Sequence, residues 1–110
     1  MNYKEAAASL KALGEETRLK IVAYLTEDTF CVCELVVLLD MSQPSISQHM
    51  KRLKDELIIL EEKRGRWTYY QLNKAHPMYD IILTLSRTLP SKQEKITALT
   101  ASGQRAQCNE

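Results

Sequence analysis

The sequence predicts a mainly α fold carrying one β-hairpin, and three observations predict it. Apolar residues recur at helical spacing through several separate stretches. Two of those stretches are joined only by the short polar turn around Asp40 to Gln43. One stretch, Leu57 to Leu72, switches to β-branched and aromatic residues on either side of a glycine.

Tyr3, Ala6, Ala7, Leu10 and Leu13 keep helical spacing and Gly14 stops them, which makes a first amphipathic helix. A second runs from about Glu16 to Thr26 with Leu19, Val22 and Leu25 facing in, and Glu15 and Glu16 suit the positive end of its dipole. A third begins near Cys31, with Val32, Leu35, Val36 and Leu39 as its stripe, and ends near Asp40 and Met41. Ser42 or Gln43 caps a fourth helix. Pro44 falls in its first turn, where a missing N–H costs little, and Ile46, Met50, Leu53 and Leu57 face in. The hairpin follows, with Lys63-Arg64-Gly65-Arg66 as a charged turn and Gly65 at its tip. Pro77 opens a last helix whose stripe is Met78, Ile81, Ile82, Leu85 and Leu89, and Pro90 stops it. Residues 1–90 are thus expected to form one domain and 91–110 a polar, flexible tail in which Lys92 to Thr100 is at most a weak helix.

A chain of 110 residues, 45% hydrophobic and 26% charged, fits one globular domain with a small core, which a second copy would naturally supplement. It has no run of about 18 or more apolar residues, and Met1 to Leu10 lacks the apolar centre of a secretory signal, so the expected location is the cytoplasm. Net charge is only +1, yet Met1 to Asp40 holds four basic and seven acidic residues while Met41 to Lys74 holds seven basic and four acidic. The middle of the chain is where a polyanion would be drawn.

Two short helices across a tight turn, followed by a basic hairpin, have the layout of a winged helix-turn-helix domain, in which the second helix enters the major groove of DNA and the hairpin touches backbone. The candidate DNA-reading side chains on the fourth helix are Ser42, Gln43, Ser45, Ser47, Gln48 and His49, which are short or able to pair with base edges, together with Lys51 for charge. Lys63, Arg64 and Arg66 would bring cations from the hairpin to phosphates.

The chain has three cysteines, Cys31, Cys33 and Cys108. An odd number in a reducing compartment argues against a disulfide framework, and a bond between Cys31 and Cys33 would close a very small ring, so the pair is read as two thiols. On a regular helix, residues two apart point about 200° from each other, so both sulfurs reach one ion only if the backbone departs from the helix. A soft, thiolate-seeking ion could then pull apart the first turn of the helix that supports the reading helix. The other reading of the pair is two small buried hydrophobes. His49 and His76 lack partners at metal-ligand spacing, which disfavours a histidine-built zinc site. No Gly-rich loop or Cys-x5-Arg spacing supports a thiol enzyme, so no catalysis is expected.

The stretches LKALGEETRLKIVAYL, TFCVCEL, SQPSISQHMKRLKDELI and KRGRWTYYQLN, in this order and spacing, resemble the ArsR/SmtB family of winged-helix metalloregulatory repressors over most of the chain. The resemblance implies a homodimer, paired through its first and last helices, that holds operator double-stranded DNA and leaves it when arsenic(III) or antimony(III) binds Cys31 and Cys33. Some arsenic-responsive members have a third cysteine where this chain has Val36, which leaves Cys108, a small thiol or water as candidates for a third ligand. Members often have glycine after the recognition helix, where this chain has Leu57. The alternative within the same fold is a thiol-redox repressor in which Cys31 or Cys33 is oxidised.

Overall fold

The structure is a computed structural model and describes residues 1–90 and 92–103. Its elements follow in the order α1 (Tyr3–Leu13), α2 (Glu16–Leu25), β1 (Phe30–Cys31), α3 (Val32–Leu39), α4 (Gln43–Asp55), β2 (Ile59–Arg64), β3 (Trp67–Leu72), α5 (Tyr79–Ser86) and α6 (Gln93–Ala101). This is the winged helix-turn-helix arrangement that the sequence predicts, with one strand more than expected.

Helix α1 starts where the Asn2 side chain accepts the Glu5 N–H at 2.8 Å and stops where the Gly14 N–H returns to the Leu10 carbonyl. It buries Ser9, Ala12 and Leu13 against α2 and α4. Tyr3 and Leu10, placed on the same stripe by periodicity, are exposed instead. Helix α2 is the centre of the molecule: Ile21 to Leu25 are all buried, and α1, α3, α4 and α5 all pack on it. Tyr24 meets Phe30 edge to face at 6.2 Å, a favoured aromatic geometry that ties the end of α2 to β1.

The sheet order is β1-β3-β2, antiparallel throughout. Strand β1 is only two residues long and pairs Phe30 with Tyr70 and Cys31 with Tyr69. The hairpin turn is tighter than the four-residue turn expected. Lys63 and Arg64 belong to β2, opposite Thr68 and Trp67, and Gly65 takes φ +63°, a torsion that glycine accepts without a Cβ penalty.

Between α4 and β2 the chain turns sharply. Ile46, Met50 and Leu53 lie in the core as predicted, but Leu57 does not: it is 60% exposed and adopts φ +59°. The Leu57 N–H returns to the Lys54 carbonyl and the Ile58 N–H to Leu53, so the helix closes through a left-handed residue that would ordinarily be glycine. After β3, His76 accepts the Met78 N–H at its Nδ1 and sets its Nε2 3.1 Å from the Glu56 carbonyl, which covers the exposed end of α4. Helix α5 buries Ile82 and leaves Ile81 and Leu85 outside. The first part of the stretch read as tail forms the helix allowed for Lys92 to Thr100, and it is packed on the domain. Residues 93–101 form α6, which buries Ile96 and Leu99 and packs on α3. Cys108 lies outside the described residues. Among those described, no helix is long and apolar enough to cross a membrane.

Candidate functional site

Cys31 is not on the helix. It is the last residue of β1 and the N-cap of α3, with extended torsions (φ −90°, ψ 168°), while Cys33 lies in the first turn that follows. The expected 200° divergence therefore never arises, and the two Sγ atoms meet at 2.8 Å. Neither cysteine among the described residues stands apart from the other. The pair is thus not the two independent thiols that the sequence suggests, and it has to be reduced before either sulfur can take an ion. Cys31 is 3% exposed and Cys33 is at the surface, so the pair is half open and the reading of two buried hydrophobes is overturned.

Glu34 completes the start of the helix. Its carboxylate accepts the Cys31 N–H at 2.9 Å, and the Cys31 sulfur faces the Glu34 N–H in the reciprocal half of a capping box. Glu34 is 1% exposed, so this side chain is turned to the cap rather than to solvent. Tyr69 is buried with Cys31, and Trp67 packs against the two of them. Val36, one turn on, is apolar and half buried. Among the described residues no cluster of three or more His, Cys, Asp or Glu side chains is arranged for a metal ion.

Helix α4 starts after Asp40, Met41 and Ser42, which puts it immediately beyond α3. The Ser42 hydroxyl accepts the Ser45 N–H at 3.3 Å and donates to the Ser45 hydroxyl at 3.1 Å, so Ser45 is partly turned to the cap. Ser42, Gln43, Ser47, Gln48 and Lys51 are exposed on α4. His49 departs from expectation: its ring is turned to α2, with Nδ1 3.3 Å from the Arg18 guanidinium and 3.6 Å from the Glu15 carboxylate. Arg18 in turn donates to the Ala12 carbonyl, so His49 ties α4 to the α1–α2 corner. The Arg18 N–H bound by Glu15 keeps that carboxyl below its usual range, with the charges of His49 and Arg18 adding to the effect.

On the hairpin Lys63, Arg64 and Arg66 are all exposed. Lys63 donates to Thr68, and Arg66 lies 5.8 Å from the Trp67 ring. Arg64 reaches back toward the thiol pair, with its guanidinium 4.3 Å from the Tyr69 ring centroid. Sequence reasoning missed Glu34, Tyr69 and the His49 contacts. Only the first had a local signal, an acidic residue three positions after the cap.

Residues 15–59 match the family model described as bacterial regulatory protein, arsR family. The chain is 36% identical over 100 residues to the arsenical resistance operon repressor of Escherichia coli (strain K12), an overlap of 90% of this chain and 85% of that one. The chain belongs to the arsR family. The arsenical resistance operon repressor of Staphylococcus aureus gives the same result, at 37% identity over 103 residues and 94% and 98% of the two chains. Among solved structures, reduced HlyU from Vibrio cholerae N16961 superposes with a TM-score of 0.73 at 28% identity, covering 80% of this chain and 92% of that one. This arsR-family chain is therefore a DNA-binding transcriptional regulator and not an enzyme.

Proposed function

We propose that the chain is a repressor that holds operator DNA as a homodimer in the cytoplasm and releases it when arsenic(III) or antimony(III) binds Cys31 and Cys33. The observation that carries the reading is the convergence of the two sulfurs at the N-cap of α3, one buried and one exposed. The names of the relatives point to the same inducer. A trivalent arsenical supplies strong bonds to thiolates, and the residues present fit it with two ligands. A third position falls to Cys108, a small thiol or water.

Drawing both sulfurs onto one ion takes the Cys31 sulfur away from the Glu34 N–H and loosens the start of α3. Helix α3 packs directly on α4, so the reading helices of the dimer lose their spacing. A 100-fold loss of affinity needs only about 2.7 kcal/mol of differential binding, well within reach of two metal–thiolate bonds. Tyr3 and Leu10 on α1 and Ile81 and Leu85 on α5 are among the apolar residues left outside, which supports pairing through those helices. Ser42, Gln43, Ser45, Ser47, Gln48 and Lys51 would face DNA from α4, with Lys63, Arg64 and Arg66 on phosphates. His49 would instead hold the helix in place.

The test is a gel-shift titration of the reduced protein with arsenite, antimonite, zinc and cadmium. Arsenite and antimonite should release the operator at concentrations where zinc and cadmium do not, and release by a Cys31→Ser/Cys33→Ser double variant would refute the assignment. The contact between the sulfurs also favours a second reading, an oxidative switch. Release by peroxide without any response to arsenite would select it.

A further inference from the structure

We propose that Arg64 is shared between the thiol pair and the operator, so that the wing is a second readout of the cysteines, independent of the path through α3 and α4. The inference rests on the reading above, in which Cys31 and Cys33 receive the inducer.

Two connections carry it. The first is through the backbone. Cys31 ends β1, and the partner of β1 is β3, with Cys31 opposite Tyr69 and Phe30 opposite Tyr70. A displacement of Cys31 is therefore delivered to the wing through strand pairing. The second is through side chains. Tyr69 is buried against Cys31, the Arg64 guanidinium lies 4.3 Å from the centre of the Tyr69 ring, and the same guanidinium donates to the Thr29 hydroxyl at 3.3 Å. Thr29 immediately precedes β1. Glu62 also accepts from Arg64 at 3.2 Å. Of the wing cations, Arg64 is the one placed over the ring that covers Cys31, while Lys63 turns to Thr68 and Arg66 to Trp67.

A planar guanidinium lies on an aromatic ring in one pose and forks a phosphate in another. Its position over Tyr69 is thus one that an inducer can alter from the sulfur side and DNA can alter from the phosphate side. Because linkage is reciprocal, DNA held by Arg64 also weakens inducer binding by the same factor. A cation–π contact at an exposed site is small, so the wing contributes about a two- to fivefold part of the total response, and the helices contribute the rest.

The experiment measures the affinity of the reduced full-length chain for a duplex from its own upstream region, by fluorescence anisotropy, with and without saturating arsenite. Arsenite binding to the DNA-free protein is followed by the emission of Trp67, the one tryptophan of the chain. Arg64→Ala should bind DNA more weakly, and arsenite should cost it about two- to fivefold less affinity than it costs the parent. Thr29→Ala should narrow the response in the same direction, with arsenite binding read from Trp67 unchanged. Tyr69→Phe, which keeps the ring, should respond like the parent. A parent released by arsenite together with an Arg64→Ala variant released by the same factor overturns this inference alone. A parent that keeps its DNA in arsenite overturns both it and the functional reading.

Discussion

Helices α3 and α4 begin in the same way and for different ends. Each starts on an extended residue whose side chain faces the N–H three positions on, Cys31 toward Glu34 and Ser42 toward Ser45. At α4 the cap is an exposed hydroxyl followed by Pro44, a start whose geometry is set by local chemistry and solvated on one side. At α3 the cap is a buried sulfur, a poorer acceptor than an oxygen, and a buried carboxylate holds the N–H of the cap from the other side. One helix start is made to stay as it is. The other is held by a group that the proposed function also gives to the inducer, which is how a sensor can be built from an ordinary structural motif.

The contrast can be broken most decisively at Cys31. Cys31→Ser installs a better cap and removes the soft ligand, so the variant should fold with undiminished stability and lose the roughly 100-fold release by arsenite entirely. Urea denaturation and gel shift read the two halves, and a variant that is still released shows that the cap residue is not the sensor. Next is Glu34→Ala, which strips a buried N–H of its acceptor and leaves a void. It should cost about 2 kcal/mol, measured by chemical denaturation. Ser42→Ala should cost only about 1 kcal/mol, in keeping with an exposed cap. Equal losses at the two positions would mean that the two helix starts are equivalent after all.

Smaller effects come from the other helix boundaries. Leu57→Gly relieves a left-handed leucine whose side chain is mostly in solvent, and it should raise stability by about 0.5–1 kcal/mol. Loss of stability would show instead that the Leu57 side chain holds the joint between α4 and the wing. Glu15, which caps α2, has its carboxyl held low by the Arg18 N–H. Its contribution is present above the usual carboxylate range and is lost as pH falls through the lowered value. Glu15→Gln should therefore lower stability slightly at neutral pH and leave the acid end nearly unchanged, which flattens the acid limb of a stability–pH curve.

Much of this was legible from the sequence wherever a signal was local. Gly14, the Ser42-Pro44 start and the Gly65 turn mark boundaries that chain chemistry alone enforces, and the structure places α1, α4 and the hairpin there. The unpredicted features depend on partners distant in the chain. Strand β1 is two residues that become a strand only by meeting β3, and this pairing moves Cys31 off the helix and brings the sulfurs together. His49 carries no local mark that would bring it to Arg18 and Glu15. Helix α6 has a polar composition, and only its contact with α3 reveals Ile96 and Leu99 as core. Tyr3 and Leu10 have helical periodicity, but periodicity does not say which apolar side a small fold leaves uncovered.

The unequal exposure of the two sulfurs also bears on time. Any thiol-seeking species arriving from solvent meets the exposed Cys33 before Cys31, which is buried beside Tyr69. Capture would then proceed in two strokes, with the speed of first encounter belonging to the outer cysteine and the dwell time to the inner one. A brief exposure would touch the protein and leave; only a persistent one would be remembered.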